Sequence, residues 1–170
     1  AMNGGDVGGG QATRFVLIYL NGGADTTTTG LPYGTTTVQQ PTLPGAFGAS
    51  YHVYWAASNT NTGAYGYVAG TTNDWVATTW DFTDDVFQSG NVVEIRIPLA
   101  DIGVSALPAT VNLHLSMINS TAGGEWTFAG VPATTFTDGT DGNDTDANNY
   151  NHYYAFEIGG TTAPLAHTIQ

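Results

Sequence analysis

Apolar residues in the longest patterned windows of this chain recur at every second position. In VVEIRIPL, residues 92–99, Val93, Ile95 and Ile97 alternate with Glu94 and Arg96. In TVNLHLSMI, residues 110–118, Val111, Leu113, Leu115 and Met117 share one side and His114 falls on the other. Successive side chains of a strand point to opposite faces, so this spacing buries one face of a sheet. A helix would need a stripe at 3.6 residues, and no window sustains one. Further strands are expected at 12–20 (ATRFVLIYL), 50–57 (SYHVYWAA), 64–69 (AYGYVA), 75–80 (WVATTW) and 152–158 (HYYAFEI), with a weaker one at 164–169 (PLAHTI). Pro98 should end the 92–99 strand, and LADIG at 99–103 makes at most one turn. Seven to nine short strands separated by turn signals predict an all-β fold: a two-sheet antiparallel β-sandwich of jelly-roll or immunoglobulin-like kind.

The rest of the chain is loop. Residues 21–49 are rich in Thr, Gly and Pro, and residues 129–149 in Thr, Asp, Asn and Gly. Loops this long inside a compact domain are usually functional or disordered. No repeat or linker divides the chain, so residues 1–170 read as one domain. Residues 1–11 form its glycine-rich leader and residues 159–170 its tail, which is read as a candidate exchanged strand.

Charge restricts the partners. Two Arg and no Lys face 14 carboxylates, a formal charge of −12. A phosphate backbone is bound by cations that displace its counterions, so nucleic acid is excluded as a partner, and anionic membranes by the same argument. No apolar run approaches the ~18 residues of a membrane span, and none reads as a signal peptide. Charged residues are 9% of the chain against roughly 25% in a typical domain, leaving Thr, Asn, Ser, Gln and Gly to keep it in solution. That composition points to a secreted or cell-surface protein. Without cysteine there is no disulfide, no thiol nucleophile and no thiolate metal site.

No enzyme is expected. Glu94, Glu125 and Glu157 lie far apart in sequence, with nothing to bring two of them to the ~5–9.5 Å of a glycosidase pair. A GxSxG nucleophile elbow is absent, and the four histidines lack the HxxxH spacing of a zinc site. Hard oxygen ligands do concentrate in DGTDGNDTDANN, at Asp138, Asp141, Asn143, Asp144 and Asp146. Such a loop suits Ca2+. It lacks the glycine, the twelfth-position glutamate and the flanking helices of an EF-hand, and a solvated acidic loop with Asx turns explains it equally well.

Aromatic residues offer a second candidate site. Sugars stack their C–H faces on flat aromatic rings while Asn, Asp and Gln bond the hydroxyls. Trp75 and Trp80 come first because they flank Asn- and Asp-rich loops; Tyr65, Trp126 and Asn73 follow. The alternative for each ring is ordinary packing in a core or on a sheet. Asn119 and Asn143 begin N-glycosylation sequons, as chance predicts in a chain so rich in Asn and Thr.

RFVLIYLNGGADTTTTG, LPYGTTTVQQPTLPGAFGASYHVYW, VVEIRIPLADIG, WTFAGVP and HYYAFEI follow an order that resembles the carbohydrate-binding family 9 and DOMON-like sandwiches of secreted bacterial proteins. The resemblance spans roughly residues 12–158, and its most specific block, E-x-R-I-P-x-x-x-I-G, is structural. It implies a β-sandwich and a polysaccharide or glycan partner. Haem-binding relatives use Met and His ligands, but Met117 falls on the expected core face. Such domains carry one or two strands ahead of the segment matching RFVLIYL, where this chain has its glycine-rich leader. A sheet lacking a strand invites one from another chain. Two functions follow as expectations. One is a non-catalytic extracellular module that binds carbohydrate. The other is a self-assembling subunit of a filament or surface layer, completed by strand exchange between copies.

Overall fold

The structure, a computed structural model, describes residues 2–3, 14–22, 26–30, 41–56, 64–69, 75–78, 85–121, 124–132, 150–160 and 167–169. Its strands are β1 (Met2–Asn3), β2 (Arg14–Asn21), β3 (Tyr51–Ala56), β4 (Ala64–Ala69), β5 (Trp75–Ala77), β6 (Val86–Ser89), β7 (Val92–Ile95), β8 (Ala109–Thr121), β9 (Gly124–Val131), β10 (Tyr154–Ile158) and β11 (His167–Ile169). The fold is all-β with antiparallel pairing throughout. Three strands form one sheet in the order β1-β7-β6. Eight form the other in the order β11-β10-β8-β2-β3-β4-β5, with β9 also paired to β8.

β2 lies in the middle of the large sheet, between β3 and β8. Its run FVLIYL is apolar at consecutive positions because both of its faces are covered. Val16, Ile18 and Leu20 join Tyr51, Val53 and Trp55 of β3 and Val111 of β8 in one core, which also takes in Val86 and Val93 of the small sheet and Ile102. Leu17 and Tyr19 face the other way, into a second core with Leu43, Phe47, Ala49, Tyr150 and Tyr153. That second core is roofed by irregular chain.

The alternation expected at 92–99 is present: Val93 is fully buried, Ile95 and Ile97 pack on the first core, and Glu94 and Arg96 are exposed. The strand itself ends earlier, at Ile95, because its partner β6 is four residues long. Gly90, with φ +57, opens the two-residue turn that joins them; the left-handed conformation there suits glycine alone. Pro98 sits past the strand end and accepts from Asp101 N at 3.0 Å. Gly103 (φ +81) and Val104 close the same turn region onto Ala100 O and Leu99 O. LADIG is therefore a turn, as its length requires. β5 is also shorter than the expected 75–80 strand, and β8 is longer than 110–118, with a register shift between Met117 and Ile118 where β9 runs alongside.

Three strands had no counterpart among those expected from periodicity. One is β6, and another is β9, whose WTFAGVP entered the sequence reading through the family resemblance alone. The third is β1, which places two residues of the glycine-rich leader against β7. The tail supplies β11, paired to β10 through Ile169, Thr168 and His167. The segment expected as one long loop at 21–49 is partly ordered pairing: Thr27 and Ala49 exchange two 2.9 Å backbone bonds, Leu43 N donates to Thr28 O and Gly30 N to Pro41 O.

Candidate functional site

The second face of the large sheet gathers the most polar chemistry among the described residues. Antiparallel register sets His114 of β8 opposite Tyr19 of β2, and Tyr19 opposite His52 of β3. Tyr19 and His52 stack at 4.1 Å and 11°, while His114 stacks on Tyr150 at 4.3 Å and 22°. Trp75 approaches Tyr19 and His52 at a steep angle, with centroids 5.8 and 5.6 Å away. Each histidine commits one ring nitrogen to the backbone: His52 Nδ1 donates to Ile18 O at 3.0 Å, and His114 Nδ1 to His152 O at 2.8 Å. The carbonyl can only accept, so each proton sits on Nδ1 and Nε2 carries the lone pair. His114 Nε2 is buried without a hydrogen-bond partner.

Burial dominates the electrostatics of these rings. Both imidazoles are fully buried. Desolvation pulls His52 down to about 3 and His114 down to about 4, against the smaller opposing effect of their backbone hydrogen bonds. Near neutrality both are uncharged aromatic plates with one donor each. Burial also pushes the Tyr51 hydroxyl, on the opposite face, up to about 12; the nearby Thr78 side chain opposes this and the carboxylates of Asp101 and Asp85 add to it.

Of the aromatic residues expected to bind sugar, Trp75 is in β5, half-buried, with its indole N–H donating to Thr29 O at 3.0 Å. Tyr65 is in β4 at the position opposite Tyr54, and Trp126 is in β9 opposite Asn119. Trp80 and Asn73 lie outside the described residues, as do Asp138, Asp141, Asn143, Asp144 and Asp146. Among the described residues no group of three or more His, Asp or Glu gathers to hold a metal. One aromatic pair that the sequence reading passed over, Phe15 and Tyr54, stacks at 4.8 Å and 22° with both rings half-buried.

Arg96 takes a partner other than Glu94, the carboxylate nearest to it in sequence. Arg96 Nε and Nη2 both reach Asp85 Oδ1, at 2.9 and 2.8 Å, and Arg96 N donates to Asp85 O. Asp85 immediately precedes β6, so the β6–β7 register brings it to Arg96; Glu94 is left facing solvent beside Phe87.

Sheet edges form the last candidate site. β7 pairs with β6 through all four of its residues, Val92 to Ile95. On its other side, among the described residues, β1 pairs with Val92 and Val93, through Asn3 and Met2. The chain from β1 then passes through GGDVGGGQAT, residues 4–13, to reach β2 in the other sheet. Nothing in the residues Met2 and Asn3 signals a strand; the edge of β7 identifies the position. Comparison of the chain with protein-family models, with curated proteins and with solved structures finds no match to any of them.

Proposed function

We propose that this chain is a non-catalytic structural subunit of an extracellular assembly, its two sheets packed as a β-sandwich and its small sheet completed by β1 of a neighbouring copy. The observation that supports the reading best is the edge position of β1, which pairs with β7 at Val92 and Val93 among the described residues and is joined to the large sheet through residues 4–13. Two ladder positions contribute on the order of 1 kcal/mol per net hydrogen bond. Holding β1 against its own body closes a loop through residues 4–13, half of them glycine, at an entropic cost that grows with the logarithm of loop length. Pairing β1 with β7 of a second copy makes the same bonds, and concentration then works in favour of the exchange. Head-to-tail exchange of this kind builds filaments wherever its rotation does not close into a ring.

Light scattering and negative-stain microscopy on the full chain, beside a variant lacking residues 1–3, test this. The full chain assembles with rising concentration, and the truncated chain stays at the mass of one copy with unchanged far-UV dichroism. Equal assembly of both would remove β1 from the mechanism, and a full chain that stays monomeric throughout would remove assembly altogether.

A second reading, glycan binding, has one observation in its favour: the half-buried Phe15–Tyr54 stack, with Tyr65 at the next register position. Flat rings in a row on a sheet suit pyranose faces. Retention on polysaccharide that is lost in Tyr54→Ala would support it, and retention unchanged by that substitution would place any sugar elsewhere.

A further inference from the structure

The two sealed imidazoles have no part in strand exchange, yet they sit where the irregular layer meets the sheet. His114 holds residues 150–153 twice: its ring carries Tyr150 and its Nδ1–H bonds His152 O. Tyr150 passes that attachment on, since its backbone N–H donates to Thr42 O at 2.9 Å and its hydroxyl accepts from Ser116 at 3.0 Å. His52 stands on the far side of Tyr19 in the same row and packs against Trp75, whose indole holds Thr29.

We propose that His114 and His52 form an acid-operated latch, which holds the layer of residues 41–50 and 150–153 on the sheet while both rings are neutral and releases it when they take up protons.

A proton must enter at Nε2, because Nδ1 already carries one. At His114 the new N–H finds no acceptor, and the cation it creates is sealed from water. Among the described residues the groups facing His114 are Tyr19 from β2, Tyr150 and the His152 carbonyl from the covering segment, and Ser116 from its own strand, and the charge of His152 opposes protonation. Those facing His52 are Tyr19 and the Ile18 carbonyl from β2 and Trp75 from β5, with Tyr67 of β4 opposite in register. Among the described residues no carboxylate contributes to the shift of either ring. Aromatic faces favour a cation modestly, but the net direction is set by burial.

The folded values, about 4 for His114 and about 3 for His52, lie below the ordinary 6.5. The stability each ring contributes is therefore complete above about pH 6.5. It drains away as pH falls, and His114 is the first to protonate in place. The opposite core contains no histidine, so the loss is confined to one face.

NMR of the full chain, titrated from pH 7 to 3 while following imidazole and backbone resonances, reads this directly. Signals of residues 41–50 and 150–153 leave their native positions together with protonation of His114, while those of Val53 and Val93 stay native. In His114→Gln, which keeps a donor but cannot titrate, layer loss moves down by about one pH unit or more. Core and layer melting at a single midpoint would overturn the latch, as would a His114 ring that titrates near 6.5 with the layer intact. Should the variant fail to fold, the ring titration of the unmodified chain decides alone.

Discussion

The large sheet is buried on both faces, and the two faces are built differently. The face toward β6 and β7 is mainly aliphatic: Val16, Ile18, Leu20, Val53 and Val111 meet Val86 and Val93, with Trp55 and Tyr51 as the large members. The opposite face presents Tyr19, His52 and His114 to chain with little regular pairing, which sets Phe47, Tyr150 and Tyr153 over them. The reason lies in what covers each. A sheet arrives with its backbone groups already paired, so side chains of the facing sheet need only fill space. A loop brings unpaired N–H and C=O groups into a buried layer, and each requires a partner. The aromatic face supplies them: Trp75 bonds Thr29 O, His114 bonds His152 O, and Asn21 Nδ2 bonds Phe47 O. Large flat rings with one polar atom cover irregular chain in a way that Val and Ile cannot.

If the aliphatic face is the structural centre, the largest loss should come from it. Trp55 is fully buried in β3 and packed between the sheets. Trp55→Ala removes the bulk of a ring and leaves a cavity, at a cost of about 3–5 kcal/mol. Denaturant unfolding should show the midpoint falling by that amount, with probes on both faces changing together. A loss confined to one face would mean that the two cores unfold independently.

The converse substitution strikes the roof. Gly30 crosses directly above Tyr19, and a Cβ there would lie 2.5 Å from Pro41 Cγ and 2.7 Å from the Tyr19 hydroxyl. Gly30→Ala must push the 26–30 segment away from its partner at Pro41, at about 2 kcal/mol by the usual cost of overpacking. Hydrogen exchange should quicken in residues 26–30 and 41–50 and remain slow in β2, β3 and β7. Uniform acceleration across both cores would erase the distinction between them.

How much of this was legible in the sequence follows the same division. Alternation located β7 and β8 and assigned Val93, Ile95, Ile97 and Val111 to the core, because a sheet-covered face writes itself at period two. The run FVLIYL announced β2. β6, at four residues, is too short for its pattern to stand out, and Met2–Asn3 carries no pattern at all; an edge on β7 selects them. The roof was invisible for a different reason. Its contacts join residues far apart, such as Trp75 with Thr29 across 46 positions, and its Thr, Pro and Gly composition reads only as loop. Arg96 shows the same limit in miniature: Glu94 is nearest in sequence, but the β6–β7 register delivers Asp85. His114 was placed on the correct face, and its burial became apparent only once Tyr150 was seen to lie over it.

The smallest effect sharpens the comparison most, because it separates packing from polar satisfaction on the aromatic face. Ser116 Oγ is buried in β8 and donates to the Tyr150 hydroxyl at 3.0 Å. Tyr150→Phe keeps the ring on His114 and strands the Ser116 hydroxyl, which should lose about 1 kcal/mol. Adding Ser116→Ala removes the stranded donor, so the double variant should be at least as stable as Tyr150→Phe alone, with a coupling energy of about 1 kcal/mol in the cycle. On the aliphatic face no such recovery exists, since a second truncation beside Trp55→Ala only enlarges the cavity. A double variant whose losses simply add would mean that the roof is held by ring packing alone, and that its hydroxyls contribute nothing to keeping the loop in place.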